Sequence, residues 1–185
     1  VEMFAPINEP WVLSWLGYGM GYHAPGIADH AQAIAASHHT VLAHNLSWRA
    51  IKAERPGALV GPVLSQSNPD VDDIFDPVAM RAAKILDEQN NRFWMDGLFS
   101  GKYPDLISEI YGDRLSKLIQ PGDLTPVQND FLGINYYFNS RIGHEVAPDD
   151  PGRIRVLDSL AGINILSSSQ GQTTDMGWPI TPNGL

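Results

Sequence analysis

No cysteine occurs among the 185 residues. That absence excludes a disulfide framework, a thiolate nucleophile and a thiolate metal site. It is compatible with a reducing compartment, and the cytoplasm is the expected location. Long apolar runs are missing too: no stretch approaches the roughly 18 continuous apolar residues of a membrane span. Positive charge is scarce. Twelve Lys and Arg stand against 21 Asp and Glu, for a net charge of -9. A nucleic-acid interface needs clustered basic residues, so nucleic acid is not an expected partner. An anionic membrane surface is not one either. The chain opens on Val1 without Met, and no signal segment is read there, so its natural start is expected upstream.

What the chain does contain fits a folded domain, with 43% hydrophobic residues. Val1 to Asn8 reads as a short strand, weakened by Pro6, which cannot donate to a ladder. A loop is expected through Gly26. Asp29 is a helix N-cap, and apolar residues recur at helical period from Ala31 to about Glu54. Arg55-Pro56-Gly57 stops that helix. Ala58 to Leu64 is a continuous apolar run of strand length, as in a strand buried on both faces. Ser65 to Phe75 reads as a polar loop. Asp76-Pro77 caps a further helix running to about Met95. Short helices are expected at Asp105–Tyr111 and Asp113–Ile119, parted by Gly112, and a third strand at Phe131–Tyr137. Arg141 to Val146 extends or pairs nearby. Ala147 to Trp178 reads mostly as loop, with Ser167 to Gln172 its most mobile part.

Strands alternating with helices imply right-handed crossovers and a parallel α/β sheet. Three doubly buried strands cannot close such a sheet, and a barrel of eight units needs about 250 residues. The pattern is that of a middle slice of a barrel, one incomplete domain over residues 1–185. Its open edges would invite association.

The chemistry concentrates at Asn8-Glu9-Pro10, which precedes a run rich in Trp, Tyr and Gly. A carboxyl can hold or release a proton, an amide can bind a sugar hydroxyl, and aromatic rings can stack on a pyranose. Trp11, Trp15 and Tyr18 are either such stacking rings or core and loop anchors. Other clusters have plainer readings. His38, His39 and His44 lack the i, i+4 spacing of a helical metal pair, and His23 is expected to brace its loop. Asp70, Asp72, Asp73 and Asp76 are out of register for a calcium loop. Gly17, Gly19 and Gly21 form no phosphate loop. No metal or organic cofactor is expected.

Asn8-Glu9-Pro10-Trp11, Gly17-Tyr18, Gly21 and His23-Ala24-Pro25-Gly26 resemble the acid/base signature of family-one glycoside hydrolases, the β-glucosidases and their relatives. The likeness continues through His39, Ala43-His44, Phe93 to Asp96, Gly101 to Pro104, Asp130 to Tyr137 and Thr174 to Trp178. The fold it implies is a partial (β/α)8 barrel, about strands 4 to 6 with their helices. It implies Glu9 as the general acid/base and Tyr137 as the residue orienting the nucleophile carboxylate. Asn8, Asn135 and Trp11 become substrate-binding positions, and a β-glucoside or oligosaccharide becomes the substrate. The physics of those roles is consistent. A retaining glycosidase holds two carboxyls about 5 to 5.5 Å apart, one of them protonated near neutral pH.

Three departures qualify the likeness. The nucleophile of the family lies in an Ile-Thr-Glu-Asn-Gly-like segment, and residues 1–185 contain none. Glu2, Glu54, Glu88, Glu109 and Glu145 are no substitutes, so hydrolysis by this chain alone is expected to be negligible. Pro6 stands where threonine is usual, and Ser65 where asparagine is common. The competing readings are a non-catalytic carbohydrate-binding module and one piece of a split barrel.

Overall fold

The computed structural model describes residues 1–143, 164–166 and 172–184. It divides into two compact units: Val1–Ser65 with Asn90–Asn135, and Gln66–Gln89 with Tyr136–Leu185.

The first unit begins with strand β1 (Met3–Phe4). A π-helical segment follows at Val12–Gly19, then helix α1 (His30–Glu54). Strands β2 (Leu59–Val60) and β3 (Val63–Gln66) come next. Beyond the excursion into the second unit lie α3 (Phe93–Phe99), α4 (Asp105–Tyr111), α5 (Asp113–Ser116) and strand β5 (Gly133–Tyr136). The excursion itself carries β4 (Pro69–Val71) and α2 (Pro77–Asp87). A π-turn at Glu88–Arg92 then leads into α3.

Local chemistry sets several of these boundaries. Asp29 accepts the N–H groups of Ala31 at 2.8 Å and Gln32 at 3.2 Å, satisfying two of the donors orphaned at the start of α1. Asp76 accepts from Val78 at 2.9 Å, and Pro77 fills the first turn of α2, where its missing N–H costs nothing.

In the first unit β1 runs parallel to β2, Met3 opposite Leu59, and Asn8 bridges Val63 in the same sense. β5 lies on the other side of β3. Gly133 donates to the Pro62 carbonyl at 2.9 Å. A Cβ at Gly61 would overlap the carbonyl oxygen of Phe131, so only glycine lets these backbones pass. Leu64, Val60, Ile34, Val41, Leu98 and Ile107 are fully buried within this unit, each contributing about 1.5–3 kcal/mol of transfer free energy. Trp15 stacks on Tyr111 at 6.0 Å, and Phe93 on Tyr103 at 4.0 Å with rings nearly parallel.

One face of α1 holds the irregular stretch 118–130 in place. His38 contacts Tyr103 Oη at 2.9 Å and Asp123 at 3.2 Å. His44 Nε2 meets Asn129 Oδ1 at 2.7 Å. Arg49 donates to the Thr125 carbonyl at 3.0 Å. Lys52, in the last turn, reaches Asp130 at 2.8 Å and the Ala58 carbonyl at 2.6 Å. These histidines are structural, and burial pushes both imidazoles below their ordinary pKa.

In the second unit β4 pairs parallel with β6 (Ser140–Gly143), and β6 pairs antiparallel with β7 (Asn164–Leu166). Arg141 grips Asp72 with two charge-assisted bonds of 2.6 and 2.8 Å. Asp73 accepts from the Phe75 N–H and Asp76 caps α2, so Asp72, Asp73 and Asp76 of the aspartate run each serve local structure.

Several expectations need correction. Residues 11–26 are not all loop, since Pro10 opens a helical segment that continues to Gly19. Met20 N–H bonds the Trp15 carbonyl at 2.8 Å, and a Cβ on Gly17 would sit 2.7 Å from the Ala24 carbonyl oxygen. Gly17 packs closely on the Ala24 backbone and Gly19 on the Trp15 ring, while Gly21 turns the chain at φ 72°. The apolar run 58–64 is two strands broken at Gly61-Pro62, and Leu59 is 45% exposed. Residues 65–75 contain the end of β3 and all of β4. The helix expected to end near Met95 continues as α3 to Phe99, and α5 stops at Ser116. β7 lies where only loop was expected, and its pairing adds an antiparallel strand to a parallel expectation. The readings for 144–163 and for 167–171 lie outside the described residues.

Candidate active site

The candidate site forms where the first strand segment turns into a helix. Glu9 N–H donates to the Val63 carbonyl at 2.9 Å, completing the ladder. The Glu9 carbonyl already accepts from Leu13 N–H at 3.2 Å, the first helical bond. One residue therefore ends a strand and starts a helix. It does so at φ 47°, in the left-handed region that residues with a Cβ avoid. Pro10, buried behind it, supplies a φ suited to the first helical turn. Among the described non-glycine residues only Glu9 has positive φ.

Asn135, on β5, meets this corner. Its Nδ2 donates to Glu9 Oε1 at 2.8 Å and to Asn8 Oδ1 at 3.2 Å. A carboxylate oxygen can only accept, so the amide nitrogen is the atom that must face it. Both hydrogens of that nitrogen are used, one on each neighbour. Three residues from the ends of two strand segments thus share one small network. Glu9 is half-buried and Asn8 is exposed, so the network opens to solvent on the Asn8 side.

The other expected residues are placed as follows. Trp11 is 8% exposed, one residue into the helical segment, and its indole Nε1 has no hydrogen-bond partner among the described residues. Trp15 is a core residue at 2% exposure. Tyr18 lines a pocket of about 490 Å3 together with Ile7, Gln32, His39 and Ala43. Pro6 falls in the gap between β1 and the Asn8 bridge, so the ladder bonds around it survive: Gly61 N–H to Phe4 O, and Val63 N–H to Ile7 O. Ser65 lies on β3. Tyr137 belongs to the second unit, where it is half exposed and packs edge-on against Trp178, 5.3 Å away at 71°. Glu54 closes α1, Glu88 opens the π-turn 3.8 Å from Lys84, and Glu109 sits in α4. No group of three His, Asp or Glu among the described residues is placed to hold a metal ion. No described helix is long and apolar enough to cross a membrane. The sequence pattern does not single out Lys52. Its only signal is its position in the last turn of a helix, four residues ahead of a proline.

The glycosyl hydrolase family 1 model matches residues 1–185. The chain belongs to glycosyl hydrolase family 1. Among curated proteins, the bifunctional beta-D-glucosidase/beta-D-fucosidase of Bifidobacterium breve is 31% identical over 192 aligned positions. The match covers 100% of this chain and 40% of that protein. A beta-glucosidase of an Agrobacterium species is 33% identical over 152 positions, covering 80% of this chain and 32% of its own length. Among solved structures, the psychrophilic beta-glucosidase from Micrococcus antarcticus superposes with a TM-score of 0.86 at 29% identity, covering 100% of this chain and 41% of that one. This family 1 chain thus spans about 40% of the length of the relatives it matches. Its fold class is α/β, a part of the (β/α)8 barrel of those relatives.

Proposed function

We propose that this chain carries the acid/base half of a retaining β-glycosidase acting on β-glucosides. The observation that supports it best is the Asn8–Glu9–Asn135 network, which fixes one oxygen of a half-buried carboxyl at a strand end. In barrel enzymes that end of the strands carries the chemistry. Residues 1–185 are read as one incomplete catalytic barrel domain, and the cytoplasm as its compartment.

In the proposed reaction Glu9 first donates its proton to the glycosidic oxygen as the leaving group departs. A carboxylate nucleophile forms the glycosyl-enzyme, and Glu9 then takes a proton from the attacking water. Asn135 holds Glu9 Oε1 and so fixes the orientation of the carboxyl toward the glycosidic oxygen. Asn8 binds a sugar hydroxyl in a contact that tightens as oxocarbenium character develops. Tyr137 orients the nucleophile carboxylate, and Trp11 is a substrate-binding position beside the acid/base. The nucleophile has no counterpart in the family pattern of residues 1–185, so these residues alone carry half of the mechanism.

The test is hydrolysis of 4-nitrophenyl β-glucoside by the purified 185-residue chain beside Glu9→Gln. Negligible turnover in both is expected. Turnover that Glu9→Gln abolishes would show that a further carboxylate of this chain completes the site, and the half-site reading would be wrong. Grafting residues 1–185 into a complete relative supplies the positive arm. Glu9→Ala in that graft should lose activity toward poor leaving groups and regain it with added azide, as a missing acid/base does. A graft whose turnover is indifferent to Glu9 would overturn the assignment.

A further inference from the structure

The network around Glu9 depends on register. Asn135 can reach Glu9 only if β5 is aligned with β3, and β3 with the segment that ends at Glu9. Residues alternate faces along a strand, so a slip of one position would turn Asn135 to the opposite side. Something must fix the alignment, and the strands themselves are short: β2 has two residues, and β3 and β5 have four each.

The fixing point lies at the opposite end of these strands. Asp130 N–H donates to the Val60 carbonyl at 2.9 Å, and Asp130 Oδ2 accepts from Val60 N–H at 2.7 Å. One residue thus holds both backbone groups of Val60. Lys52 Nζ, at the end of α1, lies 2.8 Å from the same Oδ2 and donates to the Ala58 carbonyl at 2.6 Å. Helix end, β2 and the entry to β5 converge on one carboxylate. Asn135 is five residues beyond Asp130, and Val63, which bonds both Ile7 and Glu9, is three beyond Val60. The Gly61–Phe131 backbone contact and the Gly133–Pro62 bond transmit the alignment between them.

We propose that Asp130, held by Lys52, is a positioning residue that sets the register of β5 against β3 and so places Asn135 against Glu9. It touches no reacting atom. Its effect travels about 17 Å along the strands, at about 3.3 Å per residue. The proposal rests on reading the Glu9 corner as the site. Its test reads geometry rather than turnover, so the two can fail separately.

The experiment is amide hydrogen exchange and 15N–1H NMR on the 185-residue chain, comparing wild type with Asp130→Ala, Asp130→Asn and Lys52→Met. An Asn135→Ala variant assigns the Asn135 side-chain amide signal. In Asp130→Ala the Glu9 amide is expected to lose about tenfold or more of its protection, the scale of one lost charge-assisted bond. The Asn135 side-chain amide should move toward the position of a solvated amide. Protection at Val41, in the buried centre of α1, should hold. Asp130→Asn keeps an oxygen for Val60 N–H and should restore most of the effect, and Lys52→Met should give a smaller selective loss. An equal loss at Val41 and Glu9 would mean general destabilisation and would overturn the proposal. So would an unchanged Asn135 signal. Should Asp130→Ala fail to fold, Asp130→Asn and Lys52→Met decide on the same comparison of Glu9 with Val41.

Discussion

Glu9 at φ 47° makes a thermodynamic claim that can be isolated. In the left-handed region a Cβ crowds the following carbonyl and costs an L-residue about 1–2 kcal/mol. Glycine escapes that cost but loses about 0.5–1 kcal/mol more chain entropy than alanine on folding. Comparing Glu9→Gly with Glu9→Ala cancels the loss of the Asn135 bond, because both variants remove the carboxylate. At an ordinary position the alanine variant is the more stable. At position 9 the order should invert, with glycine ahead by about 0.5–1 kcal/mol. For a chain of this size that is about 1–4 °C in Tm. Urea unfolding of the two variants, with equal m values, is the assay. An alanine variant as stable as the glycine variant would refute a left-handed Glu9. The inversion would also locate the strain that the fold tolerates on the residue to which the chemistry is assigned.

Other outcomes follow from the packing. Leu64→Ala empties a fully buried site on β3 and should cost about 2–5 kcal/mol in chemical denaturation. Gly61→Ala drives a methyl into the Phe131 carbonyl, where backbone cannot yield, and should cost about 1–3 kcal/mol or prevent folding. His44 is held below its ordinary value of 6.5, chiefly by burial. Its contribution to stability is therefore fully present above that pH and is lost as pH falls through the folded-state value. His44→Gln should flatten the fall in urea midpoint between pH 7.5 and pH 5, and an unchanged slope would count against the assignment. For Asp130, Lys52 first and Val60 N–H second hold the carboxyl below the usual carboxylate range. Its contribution persists above about pH 3.8 and is lost on acidification below it, so acid unfolding of Asp130→Asn should be the less steep.

Much of the chain was legible where a boundary is decided by its own residues. Asp29, Asp76-Pro77, Arg55-Pro56-Gly57 and Gly112 act within a turn of themselves, and the helices they bound stand where they indicate. The π-helical segment was not legible. Gly17 and Gly19 look like loop residues until Ala24 and the Trp15 ring are seen against them, and Trp15 is anchored by Tyr111, 96 positions away. β4 depends on pairing with β6, so its polar sequence, Pro69-Asp70-Val71, carries no strand pattern of its own. Glu9 could be singled out from its neighbours, but its bond to Asn135 spans 126 positions, and the family resemblance implied Asn135 only as a substrate-binding position. Lys52 carries no motif at all. Its meaning comes from the carboxylate it meets across 78 positions.

The grip of α1 on residues 118–130 has a consequence for how this stretch can vary. Arg49 reads a backbone carbonyl at Thr125, not a side chain. His38 and His44 require partners only at 123 and 129. The shape of the stretch is therefore encoded in a helix some eighty residues earlier, and the letters between its anchor points are largely free. Its length is not. Adding or deleting one residue between Thr125 and Asn129 would leave every side chain chemically intact while setting the anchors out of step with the strand that follows.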